Sequence, residues 1–160
     1  MTQPDAYLLR ILRTQPHQLV HEVNLMPAED WLWKAGPTEW SVHECLAHVR
    51  DIERLAFLPR ISRVAKEDRP AIRFFDEVAY HKEHWSPEEP LQDILAGFVA
   101  DRAAIVSILE TSDWSRTGVH ETRGPLTLDW LANYTVNHLW EHLSQIMRVR
   151  LNYIASKNLS

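Results

Sequence analysis

The chain has 160 residues, 45% hydrophobic and 24% charged, which fits one soluble domain over residues 1–160 with a single sizeable core. A formal net charge of −5, with Lys and Arg spread out rather than clustered, argues against a nucleic-acid partner. A single cysteine, Cys45, excludes an intrachain disulfide, and no apolar run approaches the ~18 residues that span a bilayer.

The first residues lack a secretory signal, so a cytoplasmic protein with no membrane partner is expected. Only four glycines occur, which disfavours a turn-rich β fold. Helical spacing begins at once, with Leu8, Leu9, Ile11 and Leu12, then Leu19, Val20 and Val23. Thr14 and Pro16 predict a break or a kink within it. A connector rich in Pro and Trp follows. "SVHE" is a capping box, Ser41 with Glu44, opening a second helix to about Phe57, where Pro59 ends or bends it.

The segment "AKEDRP" reads as a charged loop and "AIRFFDEVAYHKEHW" as a short helical region. A third long helix is expected from Ser86, with Pro87 at its first position and Glu89 completing a second capping box. "SDWSRTGVHETRGPLT" is a loop or a hairpin-like excursion. Thr127 caps the last helix, with Asp129 near its positive end. The pattern predicts an all-α fold, a four-helix bundle with one longer crossover.

The last helix carries "NHLWEHLSQIMRVR". His138 and His142 lie four residues apart, about 40° around the helix and roughly 6 Å along it, so both side chains can converge on one point. A metal site needs a further ligand from a facing helix. His48, between Cys45 and Ile52 on the second helix, is the best placed. Three neutral imidazoles with open positions suit a catalytic zinc-type site, and imidazole also suits nickel, iron, cobalt and manganese. The alternative is a set of histidines with ordinary hydrogen-bond partners.

"EWSVHECLAHVRDIE" closely resembles the W-S-x-x-E-x-x-x-H-x-x-D-x-E signature of the DinB/YfiT-like metal-binding four-helix bundles. "TGVHETRGPLTLDWLANYTVNHLWEHLSQIMRVR" resembles the family's second signature, in which G-x-x-T-x-x-x-L leads into H-x-x-x-H-x-x-Q-I. The resemblance implies an up-down-down-up bundle and a divalent metal, Ni or Zn before Fe, Mn or Co, held by His48, His138 and His142. It also implies a homodimer. Its members include transferases that use small thiols such as bacillithiol or mycothiol against an electrophilic small molecule, and others described as metal-dependent hydrolases. A non-catalytic metal-binding or stress-response protein is the alternative. Many members read H-x-x-H-H at the second motif, where this chain has Glu141, read as a solvated surface residue.

Other candidates rank lower. Asp51, three after His48, can orient an imidazole or pair with Arg50 or Arg54, and Gln145, three after His142, can bond within the site or across the bundle. Cys45 reads as a small buried apolar residue rather than a ligand. His81 and His84 read as part of a solvated segment, and His120 as a loop residue with an open pocket role. Trp40, Trp130 and Trp140 are expected to wedge helices together. Trp31, Trp33, Trp85 and Trp114 are candidates for a pocket mouth or an oligomer interface.

Overall fold

In the computed structural model, which describes residues 2–158, Asp5 starts the first helix. Its side chain accepts from the backbone N–H groups of Tyr7 and Leu8, and α1 covers Ala6–Asn24. Pro16 lies inside α1, so the expected break is absent. A proline has no N–H for the carbonyl four residues back, here Leu12. The buried Arg102 guanidinium approaches that oxygen at 3.5 Å and replaces the lost donor from another helix.

Ser41 and Glu44 form the expected capping box, and α2 covers Val42–Ile52. The arm does not stop at Phe57. A π-turn over Glu53–Phe57, in which the Leu58 N–H bonds the Glu53 carbonyl, leads into α3, Leu58–Lys66. The wider turn puts Pro59 in the first turn of the new segment, where a missing N–H is tolerated. The irregularity that Pro59 announces therefore lies upstream of it.

Residues 67–90 form the crossover, and two expectations are corrected there. The segment read as a short helix divides into β1, Ala71–Ile72, and α4, Glu77–His84, which Asp76 caps through the Ala79 N–H. The next helix does not start at Ser86: α5 covers Leu91–Glu110 and follows Pro90 without a side-chain cap. Pro90 disfavours helical backbone at Glu89, so no helix runs from Ser86 through it. Glu89 instead pairs with Arg50 at 2.6 Å.

The loop after α5 is a hairpin, β2 (Thr117–His120) and β3 (Gly124–Thr127). With β1 it forms a small sheet of order β1-β2-β3, parallel then antiparallel. Gly118 lets β2 lie against α3, since an added Cβ would come within 2.7 Å of Ile72 and Val64. Gly124 adopts φ 76° in the hairpin, a conformation that suits glycine. Thr127 caps α6, Leu128–Lys157, as expected. No described helix is long and apolar enough to cross a membrane.

Side-chain pairs fix the directions of the bundle. Arg50 pairs with Glu89 and Arg54 with Asp101, so α2 and α5 run parallel. Arg13 meets Glu110 while Arg102 meets Gln15, so α1 and α5 are antiparallel. Gln15 bonds the Val136 carbonyl and Glu22 pairs with Arg150, so α1 and α6 are parallel. The result is the expected up-down-down-up bundle. Two apolar clusters fill it, one around Leu12, Phe57, Ile105 and Leu128, the other around Leu19, Leu46, Phe98 and Leu139.

Arg102 lies on α5 between the two clusters and is fully buried with Glu53. It donates to both Glu53 carboxylate oxygens and to Gln15 Oε1 at 2.9 Å, and Gln15 Nε2 donates to Val136 at 3.0 Å. Burial pushes the Glu53 carboxyl up against the pull of Arg102. Removing the cation would leave a buried carboxylate unpaired. Arg102→Met is expected to lower unfolding stability by roughly 3–5 kcal/mol in urea titration. A loss below about 1 kcal/mol would show that the network is replaceable.

Candidate metal centre

The three histidines come together. Each of His48, His138 and His142 offers a ring nitrogen, and these atoms all lie within 4.8 Å of one another. His48 comes from α2, and His138 and His142 from successive turns of α6. Ring centroids are 4.6 Å apart for His138–His142, 4.6 Å for His48–His142 and 5.5 Å for His48–His138. The Ser41–Glu44 capping box, the Thr127 cap and the antiparallel packing of α2 on α6 bring these residues to one level.

The surroundings keep the imidazoles neutral. Burial comes first among the causes that hold His48 down to about 3 and His138 down to about 2; the neighbouring imidazoles add to it. His142 is also held below its ordinary value by burial, against a hydrogen bond from its ring to Gln145. Neutral imidazole is the form that ligates metals. His142 Nδ1 donates to Gln145 Oε1 at 2.9 Å, which leaves the Nε2 lone pair free for the cluster. Buried His138 Nε2 has no hydrogen-bond partner. An orphaned imidazole nitrogen facing two others fits a divalent cation better than a hydrogen-bonded core.

The other candidates fall as follows. Gln145 touches the site. Asp51 accepts from Arg50 Nε at 2.6 Å, and among the described residues no hydrogen bond joins it to His48. The charged guanidinium next in sequence is the stronger partner for a carboxylate. Cys45 is fully buried in the apolar core, where burial first of all pushes its thiol up to about 12. It is not in the metal-ligating cluster. Exposed Glu141 accepts from Asn137 one turn before it.

Two site residues escaped the sequence reading, both on α4. His81, read as solvated, is 7% exposed, and neither of its ring nitrogens has a hydrogen-bond partner. It stacks on Trp40 at 4.3 Å and meets the His48 ring edge-on at 5.9 Å. Glu77 brings a carboxylate oxygen to 4.0 Å from His138 Nε2, and burial pushes that carboxyl up. The two lie four residues apart, so one helix face carries both towards the cluster. Charged neighbours in "HKEH" hid this, because α4 lies over the bundle rather than in water.

The tryptophans are also redistributed. Trp40 meets the His48 ring edge-on at 5.2 Å and lies parallel to the His142 ring at 6.5 Å. Phe57 meets His138 edge-on at 5.3 Å. Trp140 is 53% exposed and wedges nothing. Trp114, expected at a mouth or an interface, is in the core. Trp31 donates to the Val23 and Met26 carbonyls, Trp33 packs on Tyr153, and Trp85 donates to His43.

Depressed histidines carry a pH signature. A histidine whose pKa is lower when folded than unfolded favours the unfolded state as pH falls below about 6.5, until its folded value is reached. Stability of the metal-free protein is therefore expected to drop steadily from pH 6.5 towards 4. His138→Phe should flatten that slope in a urea-unfolding series. An unchanged slope would mean that His138 is not held neutral by the fold.

The DinB superfamily profile matches residues 11–146. Among solved structures, the bundle is similar to YfiT from Bacillus subtilis, described as a probable metal-dependent hydrolase with an unusual four-helix bundle topology. That likeness has a TM-score of 0.79 at 22% identity and covers 89% of this chain and 83% of that one. No curated protein matches the sequence. With its profile match extending over most of the bundle, the chain belongs to the DinB superfamily.

Proposed function

We propose that this chain is a divalent-metal-dependent enzyme of the hydrolase or small-thiol-transferase type, with His48, His138 and His142 holding the ion. The observation that carries this reading is the set of three neutral imidazoles, two buried and His142 half-buried, whose nitrogens lie within 4.8 Å of one another. Nickel and zinc suit such a ligand set best, with iron, manganese and cobalt as alternatives. A divalent ion in an open three-histidine site lowers the pKa of a water or thiol that it binds.

The chain's own residues supply the rest. Gln145 fixes the tautomer of His142. Trp40 and Phe57 wall the imidazoles with apolar surface and limit water. Glu77, whose carboxyl is pushed up by burial, stands where it can take or give a proton beside His138. A second reading, a non-catalytic metal-binding protein, is favoured by one observation: the unpartnered buried nitrogens of His81 beside His48. A fourth imidazole would close the site.

Equilibrium dialysis against Zn²⁺ or Ni²⁺ with elemental analysis tests the centre. About one ion per chain is expected, near none for His48→Ala or His138→Ala, and an affinity lowered roughly 10–100-fold for Gln145→Leu. No bound metal after reconstitution would sink both readings. His81→Ala separates them: affinity close to wild type fits an open site, and a loss like that of His138→Ala fits a closed one. Loaded protein is then assayed for ester hydrolysis and for conjugation of small thiols to an electrophilic aromatic, with His48→Ala as the control.

The chain is also proposed to pair as a homodimer. Trp140, Met147, Leu151 and Ile154 are exposed on α6 and fall within about 60° of one another around its axis. Light scattering should give twice the chain mass for wild type and the single-chain mass for Leu151→Glu. A monomeric wild type would contradict the pairing.

A further inference from the structure

Beside the histidine cluster lies a cleft of about 290 Å³. Small-molecule sites run upward from roughly 300 Å³, so it suits a small ligand. Phe57 and Glu77 line it, and these same residues neighbour His138, so one wall of the cleft lies beside the centre. Its other walls include Phe74, Trp130 and Tyr134, with the two rings of the last pair stacked at 4.8 Å. They are flat, apolar surfaces.

The cleft is polarised. Arg60 and Arg123 both line it, and among the described residues neither guanidinium has a carboxylate within 4.0 Å. Arg60 donates to the Arg73 carbonyl at 3.0 Å, and Arg123 lies 5.8 Å from the ring centroids of Trp130 and Tyr134. His120 lines the same region, held neutral by burial and then by the two arginines. Its Nδ1 accepts from the Thr122 N–H at 3.2 Å. Of the acidic residues of the cleft, Asp76 caps α4, and Glu77 faces His138 while attracting Arg60 from beyond ion-pair distance. A half-buried arginine without a carboxylate is a ready partner for a ligand anion, because guanidinium matches carboxylate and phosphate geometry.

We propose that this cleft binds a small ligand with a carboxylate or phosphate on a flat apolar body, the anion held by Arg60 and Arg123 and the other end directed at Glu77 and His138. The rings of Trp130, Tyr134 and Phe74 cover the body. Anion recognition here is independent of metal. Only the role of the far end rests on the metal-centre reading.

Isothermal titration with 3-phenylpropionate, phenyl phosphate and the uncharged 3-phenylpropanamide tests this, followed also by tryptophan fluorescence. At least one anion is expected to bind tenfold or more tightly than the amide, and whichever binds better identifies the anion class. Arg60→Met and Arg123→Met should each weaken it about tenfold while leaving thermal unfolding and Zn²⁺ uptake unchanged. The exposed Arg123 position keeps the test valid if Arg60→Met fails to fold. His48→Ala should still bind the anion, which separates failure of the cleft from failure of the metal centre. Equal binding of the amide, indifference to both arginine changes, or loss of anion binding in His48→Ala would each overturn the proposal.

Discussion

The buried Glu53–Arg102 pair is the constraint on which the rest depends. It joins the π-turn to α5, and through Gln15 it reaches α1 and the α6 backbone. A bundle filled only by leucine-type contacts could slide, because such contacts are non-directional. An ion pair with both ends satisfied fixes one arrangement. The same arginine meets the carbonyl that Pro16 leaves free, so a helix-breaking residue and a buried charge resolve each other. Glu53 begins the π-turn and Phe57 ends it against His138. The register of the core thereby becomes the geometry of the site.

That geometry has a consistent chemical logic. Burial makes three imidazoles neutral, Gln145 orients one of them, and one nitrogen of His138 is left without a partner. Burying the imidazoles and leaving that nitrogen unpartnered cost stability, whereas the Gln145 bond does not, and all three suit the binding of a cation. The crossover then adds what the bundle lacks. α4 lays Glu77 and His81 over the cluster, and the cleft beside it carries two arginines that have no carboxylate within 4.0 Å among the described residues, set among aromatic rings. The bundle brings the imidazoles together, and the irregular connections build the surroundings beside them.

Much of this was legible in the sequence, for definite reasons. Ser41 with Glu44 and Thr127 announced two helices through local capping, and the four-residue step put His138 and His142 together. His48 followed from helical spacing and the family signature. What escaped depends on distant contacts. Pro16 is tolerated because of Arg102, far along the chain, and Ser86 fails as a cap because Glu89 precedes Pro90 and pairs with Arg50. His81 looked solvated between Tyr80 and Lys82, and only the path of the crossover buries it. Asp51 had two plausible partners, and the adjacent guanidinium took it.

The most direct test of the account is X-ray absorption at the metal edge of the zinc-loaded protein. The account predicts nitrogen at about 2.0–2.1 Å, with outer-shell scattering from three imidazoles that falls to two or fewer in His48→Ala. A first shell without imidazole scattering, or a spectrum unchanged by that substitution, would contradict it.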